Sequence, residues 1–157
     1  MDGITLARAV HVLAVLHWIG GVAFVTTVIL PSVASIAAPA ERLALFETIE
    51  HRFSRQVRVS VPLAGLSGLY MVERLDLWRR FIEPGGWWLT AMALVWLLFM
   101  TVLFVLEPFL LRDWFHRRAL ADPGRAFADV QRAHRILLIA GAVTAGAAVL
   151  GAHGFLG

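Results

Sequence analysis

The stretch HVLAVLHWIGGVAF, residues 11–24, lies inside an apolar run from about residue 7 to residue 30 that carries no formal charge beyond Arg8. A hydrocarbon layer about 30 Å thick is crossed by about 20 helical residues, so the run reads as a membrane span. The same reading finds further spans at about 57–73, 87–110 and 133–156. Four spans joined by short connections predict an all-α, integral membrane, antiparallel four-helix bundle, with residues 1–157 forming a single transmembrane domain.

Composition points the same way. The chain has 157 residues, 59% of them hydrophobic, and a mean hydropathy of +0.75, beyond the usual apolar share of a soluble domain. The first run is longer than a secretory h-region and ends in ILPSVAS with no early cleavage site, so it is expected to be a true span. There are no cysteines, which excludes disulfides, thiolate metal sites and covalent c-type haem.

All 14 basic residues are arginine. Arg42, Arg52, Arg55, Arg58, Arg112, Arg117, Arg118, Arg125, Arg132 and Arg135 fall on the first and third connections, against Arg8, Arg74, Arg79 and Arg80 on the other side. The positive-inside rule then predicts a bacterial-type inner (plasma) membrane protein with both termini outside and the basic loops cytoplasmic. Because the arginines flank spans and form no single soluble patch, nucleic acid is not an expected partner.

Between the first two spans, PAERLALFETIEHRFSRQVR (39–58) places Leu43, Phe46, Ile49 and Phe53 at three- to four-residue steps. This predicts an amphipathic cytoplasmic helix continuous with span two, which Pro62 should bend. The connection ERLDLWRRFIEPGG (73–86) ends in a Pro-Gly-Gly breaker. Span three is bulky and reads as a lipid-facing wall. Span four, with GAVTAGAAVLGAHG (141–154), reads as an inner wall whose small residues admit close neighbours.

Six histidines in so small a membrane chain need separate treatment, because intramembrane ionisable residues are costly and usually functional. His51 and His116 read as interfacial. His11 and His153 sit at matching depth on antiparallel spans, so they are the candidate axial pair for one haem iron, and the candidate metal ligands. His17 is six positions after His11 and points elsewhere; with Gly20, Gly21 and Phe24 on its face, it approaches a haem or bonds within a tight helix pair. Trp18 shares the face of His11 and lines the pocket or fills the core. His134, about 28 Å from His153 along span four, would ligate a second haem, with His51 or His116 opposite. Arg8 and Arg74 flank the outer side, where they anchor the interface or pair with propionates.

From HWIGGVAF followed by VILP, through HRFSRQVR and SGLYM to the final LGAHG, the chain resembles the membrane domain of the copper-resistance D family and its relatives. That group includes copper transporters and four-helix, haem-associated protoporphyrinogen oxidases. In architecture the chain is also similar to small four-helix cytochromes b, although span two has no histidine in its apolar part.

The first expectation is a b-type haem protein carrying electrons between a membrane quinol and an outer-side partner, with one haem and room for a second. Beyond the lipid bilayer, the expected partners are a quinone, a redox protein and a second copy of the chain. Quinol oxidation needs a proton acceptor, for which His17, Glu73 and Glu107 are candidates. The alternatives are copper handling, a porphyrinogen oxidase and a structural membrane subunit. Met1, Met71, Met92 and Met100 form no ladder of soft ligands, which weighs against copper.

Overall fold

The structure, a computed structural model, describes residues 2–155. Among these residues the chain is all-helical, without strands. Helix α1 (Gly3–Phe24) starts on Asp2, whose carboxylate accepts from the Ile4 amide at 3.2 Å. It widens into a π-helical turn at Val25–Ile29 and continues as α2 (Leu30–Ile36). Pro31 has no amide hydrogen to give, and the wide turn just before it is where the ladder absorbs the loss.

Helix α3 (Pro39–Arg74) runs unbroken through Pro62, joining the amphipathic stretch to the expected second span. Two 3₁₀ turns, Trp78–Phe81 and Pro84–Gly86, lead to α4 (Trp87–Thr101). Gly86 lies against the Arg80 carbonyl so closely that an added methyl would overlap it. Next come a ten-residue π-helix, Val102–Leu111, which contains Pro108, and α5 (Arg112–Ala121). Helix α6 (Pro123–Ala152) is capped by Asp122, which accepts from the Arg125 amide at 3.0 Å.

Among the described residues, three helical stretches are long and apolar enough to cross a membrane: Gly3–Ile36, Pro84–Leu111 and Pro123–Ala152. The chain is therefore a multi-pass membrane protein by length and composition. The stretch expected as span two, residues 57–73, is not among the three. Ser60, Ser67, Pro62, Gly65 and Gly68 dilute its apolar content, and Arg58, Glu73 and Arg74 bracket it. The helices also overrun their expected ends. The first is 34 residues long, or about 51 Å at 1.5 Å per residue, well beyond a hydrocarbon layer of about 30 Å.

The contacts of α1 advance as those of α3 retreat: Gly3 meets Tyr70, His11 meets Gly68, His17 meets Ser60, and Gly21 meets Phe53. Gly65 receives Trp96, while Ser54 reaches Glu107, so α3 and the α4 stretch pair in the same sense. Ile19 rests on Gly141 and Thr26 on His134 at the α1–α6 contact.

Packing falls into three apolar clusters. Val72, Trp88, Leu89 and Ala147 form one at the turn end, near the 3₁₀ connection. Ala14, Trp18, Val22, Val57, Val61, Ala64, Phe99 and Leu103 form the middle. The third joins Val25, Leu30, Val33, Leu43, Phe46, Phe127 and Val130, with Phe115 packed on it, among the arginine-rich connections. The walls are not arranged as the sequence suggests. The apolar windows of α4 and α6 are equally exposed, 17% buried each, and the first helix is the most enclosed at 28%. On α6 the small residues divide, with Gly141, Ala147 and Gly151 inside and Ala142 and Gly146 outside.

Candidate functional site at the α1–α3 interface

Both histidines of the opening stretch turn onto α3. His11 is half-buried, and its Nδ1 donates to the Ala64 carbonyl at 2.8 Å, with the Ser67 hydroxyl 3.3 Å away. A carbonyl can only accept, so this bond fixes the proton on Nδ1 and leaves the Nε2 lone pair free, the state in which an imidazole binds a metal. Gly68 supplies the room: a Cβ there would stand 3.2 Å from His11 Cε1.

His17, two turns further on, uses both nitrogens. Nδ1 lies 3.1 Å from the Ser60 hydroxyl and Nε2 lies 3.3 Å from Gln56 Oε1. Its ring tilts against Phe53, centroid to centroid 6.3 Å. With no free nitrogen it is the hydrogen-bonding member of a tight helix pair.

The glycine notch beside it is filled from within the chain. The Phe53 ring occupies the space a side chain at Gly21 would need, and in the same way Trp96 covers Gly65 and Trp88 covers Gly151. The notches thus admit neighbouring aromatic rings. Trp18 is buried and meets Phe99 edge-on at 4.7 Å, so it fills the core; its Nε1 has no partner among the described residues.

The other two candidate ligands bond within their own helix. His134 Nδ1 donates to Val130 O at 3.0 Å, and its ring stands edge-on to Phe46 at 5.5 Å. His153, exposed at the end of α6, donates from Nδ1 to Val149 O at 2.8 Å. Both keep Nε2 free. Seven residues separate Gly146 from His153, which puts them on one exposed face of α6, opposite Gly141, Ala147 and Gly151. His11 and His153 therefore do not turn toward each other: one bonds α3 and the other lies on the outward face of α6. Arg8 and Arg74 are exposed, with no ion pair among the described residues. Those residues also contain no group of three or more His, Asp or Glu side chains placed to hold a metal ion.

Sequence reading missed the polar partners on α3. Ser54, Ser60 and Ser67 are all buried, and each bonds an ionisable group on another helical stretch: Glu107, His17 and His11. Their six- and seven-residue spacing is a face signal of its own, visible once α3 is taken as one helix. At the lowest of the three, Arg58 Nη2 pairs with Glu107 Oε1 at 2.9 Å, and Ser54 donates to both carboxylate oxygens at 3.1 and 3.2 Å.

Glu50 is one turn before Ser54, in the amphipathic half of α3. Burial, and then the nearby Glu107 carboxylate, push its carboxyl up to about 7 against a smaller opposing pull from Arg58. No protein family, no curated protein and no solved structure matches this chain.

Proposed function

We propose that the chain is an antiparallel four-helix membrane bundle, with the second half of α3 as its fourth span, that binds b-type haem through His11 and passes electrons between a membrane quinol and a partner on the side of the termini. The observation that carries the reading is the state of His11. Its Nδ1–H is held by a carbonyl of another helix, which fixes the ring against rotation and presents Nε2 as a free donor.

The donor chemistry of the chain suits haem. There are no thiols, imidazoles with free Nε2 are available, and Arg8 and Arg74 are exposed on the His11 side for carboxylates. A bound haem would supply one-electron redox chemistry. Ala64 and Ser67 hold His11 in register, and Gly68 lets its ring lie close to α3. The notches at Gly21, Gly65 and Gly151 are closed by aromatic rings, so they are no part of the proposed seat. His153 is the candidate second ligand by its free Nε2 alone, and its outward face would suit a site shared with a second copy.

The test is the reduced-minus-oxidised visible spectrum of protein purified in mild detergent, with a pyridine haemochrome count. Sharp b-type bands that are lost in His11→Ala and kept in His116→Ala are expected. A protein that stays colourless after haem addition, or bands that survive His11→Ala, would overturn the reading. Reporters after residue 120 and at the C-terminus are expected to lie on opposite sides of the membrane, the first cytoplasmic.

A further inference from the structure

We propose that α3 carries a binding site for one anionic phospholipid of the bilayer, with the headgroup phosphate on Arg52 and Arg55 and an acyl chain along Val59, Leu63 and Leu66. Nothing in this site requires haem.

The site is amphiphilic along its length. Thr48, Arg52, Arg55, Val59, Leu63 and Leu66 follow at steps of three and four residues, so they form one stripe of α3, and all six are exposed. The stripe is polar at the arginine-rich end and apolar from Val59 onward. At its polar end it is concave. A cavity of about 590 Å³ is lined by Arg52, Arg55, Gln56 and Val59. It adjoins a second, half-open one of about 500 Å³ between α1 and α3, which Arg52 and Gln56 also line and to which Thr48 adds a hydroxyl. Either recess is of ligand size. An occupant that follows the stripe must be anionic at one end and apolar over the rest, which is the chemistry of an anionic phospholipid.

Charge and depth single out that occupant. Arg52 and Arg55 take part in no ion pair among the described residues, and no Asp or Glu among those residues lines either cavity. Guanidinium groups give paired N–H bonds to phosphate oxygens, and basic pockets beside membrane spans hold anionic headgroups. Thr48 donates to Ala44 O at 2.9 Å, so its oxygen is left to accept from a headgroup hydroxyl. An amine headgroup would instead bring a cation beside two arginines. Phe53 meets Gly21 and Gln56 meets His17, which lie about 27 and 21 Å from Gly3 along α1 at 1.5 Å per residue. With Gly3 at one edge of a hydrocarbon core about 30 Å thick, Arg52 and Arg55 stand just inside the other edge. Helical side chains lean toward the helix N-terminus, which in α3 is the outer end, so both guanidinium groups reach headgroup level while Val59, Leu63 and Leu66 stay among the tails.

Native mass spectrometry of the full chain in detergent, titrated with phosphatidylglycerol or with phosphatidylcholine of the same acyl chains, tests this. The parent protein is expected to retain one phosphatidylglycerol in preference to phosphatidylcholine. Arg52→Gln is expected to weaken phosphatidylglycerol binding about fivefold, and Arg52→Gln with Arg55→Gln about twentyfold, with phosphatidylcholine binding unchanged. Arg132→Gln with Arg135→Gln removes the same charge from exposed positions on α6 and is expected to change little. Inorganic phosphate and chain-free glycerophosphoglycerol are expected not to displace the lipid. Equal retention of the two lipids, full binding in a folded Arg52→Gln, Arg55→Gln variant, or an equal loss in the α6 variant would each overturn the proposal. Displacement by inorganic phosphate would assign the arginines to a free anion, and a dimer that excludes lipid would assign the stripe to a second copy; either outcome also overturns it.

Discussion

The two ends of the long α1–α3 contact are held by different forces. At the arginine-rich end, α2, the first half of α3, α5 and the start of α6 close on Leu30, Val33, Phe46, Phe127 and Val130, all at most 5% exposed. On the proposed topology this cap lies outside the lipid, where removing apolar surface from water drives packing, at about 25 cal/mol per Å². Nearer the turn end, the same two helices meet through His11, His17, Ser60, Ser67 and glycines that receive aromatic rings. On the same topology this part of the pair lies among lipid tails, which are as apolar as leucine, so close fit and interhelical hydrogen bonds would carry that contact instead. One helix pair would then obey soluble-protein rules at one end and membrane rules at the other.

The contrast breaks most visibly in the cap. Phe46→Ala is expected to cost about 3–5 kcal/mol, measured by denaturant titration in nanodiscs, and to free the ring of His134 that stands against it. If the loss were only a few tenths, the cap would not be packing by the hydrophobic effect. In the second half of α3, Gly65→Ala forces Trp96 aside and disturbs its 2.9 Å bond to the Val61 carbonyl. A cost of about 1–3 kcal/mol is expected, read by the same titration and by a red shift in tryptophan emission.

A smaller effect comes from Glu50, at the boundary between the regimes. Its folded carboxyl holds a proton up to about pH 7, whereas its ordinary value is 4.5. The stability this contributes is full below pH 4.5 and declines as pH rises through about 7, because the unfolded chain releases the proton first. Thermal melts at pH 5 and pH 8 are expected to differ in this sense, and Glu50→Gln to flatten the difference. The smallest effect is Ser60→Ala, for which interhelical bonds of this kind suggest about 0.6 kcal/mol and at most about 1.7.

The membrane character, the arginine asymmetry and the continuity of residues 39–58 with the next helix are all legible in the sequence, because apolar run length and 3.6-residue periodicity act locally. The partners of the histidines are not. Counting residues gives the depth of His11 and His153, but their azimuth depends on which face of each helix the fold spends on packing. Gly141, Ala147 and Gly151 take the inner face of α6, and the face shared by Gly146 and His153 is left outside. Likewise Gly21 advertises room without saying what enters, and the occupant, Phe53, belongs to a stretch whose own pattern reads as amphipathic surface. The buried serines of α3 were hidden because serine in a membrane helix ordinarily bonds back to its own backbone, as Ser67 also does to Leu63 O at 2.5 Å.

The wide helix at Val102–Leu111 makes chain length a structural variable in its own right. It aims Glu107 at Ser54 and Arg58, then hands the chain to α5, which Arg118 ties to Asp129 at 2.7 Å. A turn that already holds surplus backbone can lose a residue and still be helical, so deleting Leu106 would remove no essential side chain. It would turn Glu107 and the chain that follows by roughly 100° relative to Ser54 and Arg58, turning an indel into a steering error.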